Sequence, residues 1–428
     1  MPPPEPGRVA AAVSADQVAA FRLARHRLAA RATPSELPAI AGSMSGVQAQ
    51  VMSAARVSLW ARSRGLRIGD VEAALWRDRS LAKAWCMRGT SYLVPSEDFD
   101  VFVRGCSRRA NRSLEWLVRA GVSLAAIDRV TEAVGNVLDR PLTRREVVPL
   151  VAEALRARTR SWSPQRGGWG SRAAVTGLEV DGHSLSIGGI LYVASIRGVA
   201  CVGPPRGNES TYVRRDVWLP AVPRLPADVA EPELLRRYLR AFGPATVADF
   251  AWWTYLKAAD AREVWGRLEG ELAPVDVEGR PGWVLRSDVH HLERASLDGP
   301  VVRLLPSFDS FLLGHKDKSH LVEAARYTRV YRPAGWLAPV LLVDGRVAGV
   351  WSMTRKAGRL VVRVEAFTRL SAALRAAVQD ETEDLGRFLG TPDVRVAFIG
   401  GGRGSRPSSR QARRPPRVRG SRGARAPP

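Results

Sequence analysis

Ser45-Gly46-Val47-Gln48-Ala49-Gln50-Val51-Met52-Ser53 carries two glutamines two positions apart, set among small and apolar residues. In an extended segment residues i and i+2 project to the same side, whereas in a helix each step turns the side chain by about 100°. Two amides can therefore converge on one atom only if Gln48 to Gln50 is extended. Gly46 before the pair and Ser53 after it, as an N-cap for a helix from Ala54 to Arg64, permit that reading. The other reading starts the helix at Val47 and leaves both glutamines as solvated helix positions.

Composition limits the class of protein. With 428 residues, 45% hydrophobic and 25% charged, the chain is globular and too long for one ordinary domain. No apolar run approaches the ~20 residues of a membrane helix, and Met1-Pro2-Pro3-Pro4-Glu5-Pro6 is no secretory signal. Cys86, Cys106 and Cys201 lie far apart without a CxxC, as reduced thiols of a cytoplasmic protein would. The net charge is +23. Residues 400–428 contain nine arginines and no acid, which leaves +14 for the body. A body this basic fits a polyanionic partner, most simply nucleic acid and a nucleoid-associated location. Solvated arginines of a GC-rich gene would give the same composition.

Outward from the glutamines, helices and strand pairs alternate. Residues 1–13, rich in proline and alanine, are expected to be disordered. Ser14 caps a helix reaching Arg31, Thr33-Pro34 opens a short one through Ile40, and Ile68 to Trp76 forms another. Lys83 to Val94 reads as a strand pair turning at Arg88-Gly89. Further on, Thr143-Arg144-Arg145-Glu146 is a capping box opening a helix through Leu155. A candidate recognition helix follows from Ser184 to Arg197. Val199 to Val202, a Gly/Pro loop with Arg206 at its tip, and Tyr212-Val213 then read as strand, wing and strand. The third series is a helix from Glu233 to Phe242, one capped by Thr246, one from Ala258, and strands flanking residues 278–282. Beyond Val301 the texture is β, with Asp344-Gly345 a hairpin turn between apolar runs and a helix from Leu370 to Leu389. The expected fold is α+β, mainly α with β wings. Its spans are winged helix 1 (14–105), winged helix 2 (106–230), winged helix 3 (231–300), a β-rich region (301–399) and a basic disordered tail (400–428).

Other chemistries lack their signatures. The histidines, His290-His291, His315 and His320 among them, match no HExxH or C/H knuckle, so no metal is expected. GxSxG is absent, and the glycines of residues 166–170 lack the Lys-Ser/Thr of a phosphate loop, so no cofactor is expected.

Four blocks in order resemble the AlkZ-type DNA glycosylases, a family of tandem winged helices that unhooks interstrand crosslinks. They are the Gln-x-Gln motif; Trp85-Cys86-Met87-Arg88-Gly89-Thr90-Ser91-Tyr92-Leu93-Val94-Pro95; Phe242-Gly243-Pro244-Ala245-Thr246 with Asp249-Phe250-Ala251-Trp252-Trp253; and Leu305-Pro306-Ser307-Phe308-Asp309-Ser310-Phe311-Leu312-Leu313-Gly314. The resemblance covers most of residues 15–399. It implies Gln48 and Gln50 as a catalytic pair holding a water between them. Tyr92 departs from it, standing where many relatives carry histidine.

Paired amides suit one substrate class. Glycoside hydrolysis normally needs a carboxyl to protonate the leaving group and another to activate water. An N7-alkylguanine is already cationic and leaves unprotonated, so orienting a water and stabilising a cationic sugar suffice. The expected activity is a monofunctional DNA glycosylase on cationic alkylated purines, since no lysine or N-terminal proline is marked as a Schiff-base nucleophile. The alternative is a non-catalytic winged-helix regulator. Arg88 and Thr90 are candidate DNA contacts, or else stabilise their strand pair, and Arg206, Arg214 and Arg215 suit phosphates. Asp309 reads as structural, holding an arginine, and Trp252-Trp253 as core. Double-stranded DNA is the expected partner, with no membrane and no obligate protein partner; the absence of a dimerisation heptad fits a monomer.

Overall fold

The computed structural model describes residues 9–162, 175–221, 224–356 and 358–399. The expected basic tail and the glycines of residues 166–170 lie outside these. Among the described residues the fold is a mixture of helices with four sheets. No helix of the described residues is long and apolar enough to cross a membrane.

Local capping sets most helix starts. Ser14 and Gln17 form a reciprocal box that opens Ala15–Arg25. That helix stops short of the expected Arg31 because the chain turns through Arg27, at φ 56°, and drops Leu28 into the core. Thr143 with Glu146 and Thr246 with Asp249 open Arg144–Leu155 and Val247–Thr254 in the same way. Residues Ala11–Val13, expected to be disordered, form a strand instead. It pairs parallel with Val275–Val277, and the hairpin Leu272–Val277/Arg280–Leu285 completes the sheet. Ala11 and Val13 are buried in the core of that hairpin, which is what orders them.

The central sheet has six strands in the order Val47–Gln48, Ser91–Pro95, Leu81–Trp85, Ala200–Arg206, Glu209–Arg214, Leu142–Thr143. Two hairpins thus stand back to back, joined where Lys83 faces Val202, and each is flanked by a two-residue strand that precedes a helix. The strand Arg158–Trp162 and its partners Val175–Val180 and His183–Ser186 form a sheet not anticipated from sequence. The expected recognition helix begins at Ile187, capped by Ser186. Seven of its ten residues are buried, so it is a core element and not an exposed reading helix.

After Val301 a five-stranded sheet runs Val302–Leu305, Val340–Val343, Arg346–Lys356, Arg359–Ala366, Val394–Ile399, antiparallel except for the last pair. Asp344 and Gly345 both take positive φ, as a two-residue hairpin turn requires. This region shares one hydrophobic core with the glutamine-bearing part of the chain: Leu59, Trp60 and Leu93 belong to the same cluster as Leu305, Leu341 and Phe388. Polar ties cross the same boundary. Arg31 pairs with Glu381 at 2.8 Å and with Asp384 at 2.9 Å, while Arg62 and Asp309 meet with both side chains fully buried. Asp309 is thus the structural anchor its surroundings suggested.

Candidate functional site

The glutamine strand is fixed from three sides. Ser45 and Gly46 turn the chain at φ 51° and 89°. A Cβ on Gly46 would sit 3.1 Å from Met87 and 3.2 Å from Tyr92, so glycine is needed there for space as well as for φ. Gly46 O accepts from Ser310 Oγ at 2.8 Å, and Ala49 N donates to Ser91 O at 2.7 Å. Val47 then faces Leu93 and Gln48 faces Tyr92 across the ladder. Gln48 is therefore extended.

The two amides sit in different surroundings. Gln48 is 7% exposed; its Nε2 approaches Thr90 Oγ1 at 3.5 Å, and its Oε1 is buried with no hydrogen-bond partner among the described residues. The Tyr92 hydroxyl is likewise buried, with Thr90 as its polar neighbour. Residues opposite each other in an antiparallel pair project from one face, so the unused Gln48 acceptor and the Tyr92 hydroxyl share that face. Burial pushes the Tyr92 phenol up, which keeps it a hydroxyl. Gln50, beyond the strand, is exposed.

The helix after the glutamines begins at Met52, earlier than expected. Val51 stands at its N-cap and supplies no side-chain oxygen, while Ser53 lies inside the first turn. The second hairpin shows the contrast. There Leu142–Thr143 runs straight into its helix, with Thr143 as cap. In the first, Ala49, Gln50 and Val51 intervene, and the helix start has no side-chain cap.

Thr90 and Arg88 come from the turn between Leu81–Trp85 and Ser91–Pro95. Arg88 donates to the Tyr255 hydroxyl at 3.0 Å, and its guanidinium lies 4.5 Å from the Tyr255 ring and 5.4 Å from that of Trp252. Trp253 is core, as expected. Trp252 is not: it is 39% exposed. Arg112, from Ser107–Arg119, donates to Tyr255 O. Tyr255, Arg112 and the buried Lys318 were not singled out from sequence. Lys318 donates to His315 O, and burial, then the charge of Arg88, bring its ammonium down to about 7 against the opposing pull of Asp249 and Asp317.

The other candidate contacts are already engaged. Arg206 pairs with Glu146 at 2.6 Å and donates to Pro141 O. Arg214 pairs with Asp216 at 2.7 Å. Arg215 is 4% exposed and 3.7 Å from Asp100, so it serves the interior and cannot reach a phosphate on the surface. His315 and His320 stack edge to face at 4.7 Å, and no group of three or more metal-ligating side chains occurs among the described residues. A cleft of about 740 Å³ lies elsewhere, between helix Ala15–Arg25 and residues 315–321. Its arginines and lysine, Arg22, Arg280, Arg346 and Lys316, are set against Asp249, Glu278 and Asp317, and neither glutamine lines it.

Comparison with known proteins bears on this geometry. The family model described as DNA glycosylase AlkZ-like matches residues 41–388. A curated relative from Streptomyces sahachiroi, described as an interstrand DNA cross-link repair glycosylase, is 35% identical over 357 residues, covering 79% of this chain and 87% of its own. The solved structure of Streptomyces sahachiroi DNA glycosylase AlkZ superposes with a TM-score of 0.73 at 30% identity, over 91% of this chain and all of that one.

Proposed function

Because the chain belongs to the AlkZ-like DNA glycosylase family and is thereby a DNA glycosylase, we propose that it hydrolyses the N-glycosidic bond of cationic alkylated purines. N7-alkylguanine in double-stranded DNA is the substrate class, including guanines tied into interstrand crosslinks, and an abasic site is the product. The relative's description as a cross-link repair glycosylase agrees with that choice.

In this reading a water held between the Gln48 and Gln50 carbonyl oxygens attacks C1′ of the sugar as the C1′–N9 bond breaks. The bonding pair passes to N9 and cancels the positive charge of the alkylated base, and the attacking water gives its surplus proton to solvent. The amide oxygens accept hydrogen bonds from the water and set partial negative charge against the cationic sugar. They are poor bases, so an undamaged nucleoside, which needs its leaving group protonated, is left intact. The observation that carries the reading is the buried, unpartnered Oε1 of Gln48 on a strand held extended by its neighbours. A buried acceptor without a hydrogen bond is a cost unless a partner arrives to satisfy it.

The spans 14–105, 106–230 and 231–300 are read as three winged-helix units that present this strand to DNA as a monomer without a cofactor. Arg88 and Thr90 belong to that surface, with Arg206 and Arg214 at its edge. Incubating the protein with a duplex containing N7-methylguanine, then cleaving abasic sites with alkali, tests the proposal. Release of the base supports it. If no alkylated duplex loses a base, the non-catalytic DNA-binding alternative takes its place.

A further inference from the structure

Three parts of the chain, remote in sequence, meet at one exposed patch beside the glutamine strand. Arg88 comes from the first hairpin, Arg112 from helix Ser107–Arg119, and Trp252 and Tyr255 from the end of Val247–Thr254. Trp252 is 39% and Tyr255 41% exposed, with their rings edge to face at 6.2 Å. Large aromatics normally bury, as Trp253 does at 1%. Tyr255 closes its helix in the left-handed region, at φ 63°, where glycine or asparagine ordinarily serves. Neither the open rings nor the strained backbone is accounted for by core packing.

The patch is also charged and tied in place. Arg88 lies over both rings, and Arg112 holds the Tyr255 carbonyl. Thr90, two residues after Arg88, reaches Gln48, so one turn serves both the patch and the glutamine strand.

We propose that Trp252 and Tyr255, with Arg88 across them, form a stacking platform for an unpaired nucleobase next to the lesion. The proposal rests on the glycosylase reading and adds to it where the opened strand goes. A phosphate clamp would need only cations, and two exposed rings would contribute nothing to it. Aromatic faces paired with a guanidinium are what a base's π-face takes, whatever its sequence.

The test uses the full chain and two duplexes with the same 2-aminopurine reporter. In one the reporter stands opposite a tetrahydrofuran abasic analogue, and in the other it is fully paired. The wild-type protein is expected to change the reporter's fluorescence in the abasic duplex and to bind that duplex more tightly. Trp252→Ala and Tyr255→Ala should each lower its affinity by roughly 5- to 100-fold and abolish the fluorescence change, the range for one lost base–aromatic stack. Trp252→Phe, which keeps a ring, should restore most of both. Equal losses on the two duplexes, or an unchanged fluorescence response in the alanine variants, overturn the platform. Excision of N7-methylguanine by the wild type is measured alongside. Excision without a reporter response sinks the platform alone, whereas loss of excision sinks the glycosylase reading and leaves the fluorescence to decide the platform.

Discussion

The guanidinium of Arg62 meets the carboxylate of Asp309 at 2.8 Å with neither side chain exposed. Ser58 Oγ donates to the same carboxylate at 2.7 Å and Phe311 N at 3.0 Å, so the carboxylate is held from both sides of the boundary between the first and last parts of the chain, while Arg62 Nε stays buried without a partner among the described residues. Burial would raise the Asp309 carboxyl, but the charge and hydrogen bonds of Arg62, with those of Ser58 and Phe311, outweigh it and hold the group below the usual carboxylate range. Asp309→Ala leaves a buried, unpaired cation and is expected to cost about 3–5 kcal/mol, read from denaturant melts. Because the folded-state value is depressed, the pair's stabilisation is complete above the unfolded value of about 4 and is lost as pH falls through the folded one. The variant should therefore show a flatter acid limb than the wild type, and an unchanged limb would refute the assignment.

The glutamines are expected to act as a unit. Gln48→Ala and Gln50→Ala should each slow excision of N7-methylguanine by roughly 10²–10³-fold, with DNA affinity nearly intact. The double variant should be only slightly slower than either single one. Gln50→Asp, which still accepts hydrogen bonds and carries more negative charge, should retain part of the activity. Single-turnover rates decide this, and wild-type rates in both alanine variants would remove the pair from the mechanism.

Lys318 makes a prediction in the opposite pH range. Its folded-state value is brought down to about 7, by burial first and by Arg88 second, against about 10.4 in an unfolded chain. Between those values the unfolded state binds the extra proton, so this group adds stability as pH rises from 7 towards 10. Lys318→Met should raise the melting temperature at pH 6 and flatten its climb above pH 7. A parallel climb in both proteins would show that Lys318 is not the titrating group.

Two sets of arginines should separate by salt dependence. Arg215, buried near Asp100, is expected to lower thermal stability when replaced by methionine and to leave the salt slope of DNA binding alone. Deleting residues 400–428, with their nine arginines, should make log affinity shallower against log salt, because fewer counterions are released. Single-turnover excision at saturating enzyme should not change with the tail. A large fall in that rate would place the tail in the chemistry.

Local signals in the sequence carried far. The caps at Ser14, Thr143 and Thr246 and the Asp344-Gly345 turn depend on neighbours within four residues and were legible. The extended reading was legible as one of two options; Gly46 with the ladder to Leu93 and Tyr92 selects it for Gln48, while Gln50 falls in the bend beyond the strand. Long-range partners were invisible. Ser53 looks like a cap, but the bond from Ala49 N to Ser91 O fixes where the strand ends and the helix begins one residue before it. Arg206 looks like a free wing tip until Glu146, sixty positions earlier, is found beside it. Trp252 and Trp253 look alike, yet adjacent helical residues point about 100° apart, and only one of them can face the core. The strand Arg158–Trp162 carries exposed arginine, threonine and serine, with no apolar alternation to mark it.

The core that joins residues 23–93 to residues 301–388 sets an order of events on the ribosome. The glutamine strand emerges early, while Leu305, Leu341 and Phe388, which share its core, are still unsynthesised. The buried members of the cluster from Ala110 to Tyr212 come from the middle of the chain, with the earlier Trp85 packed against them, and it can close while synthesis continues. Trp60 lacks the stack with Phe388 until the helix Ala372–Phe388 arrives, and apolar surface left open in such an interval is what makes a nascent chain prone to aggregate or to recruit a chaperone. Vectorial synthesis thus delivers the glutamines early and completes their support last.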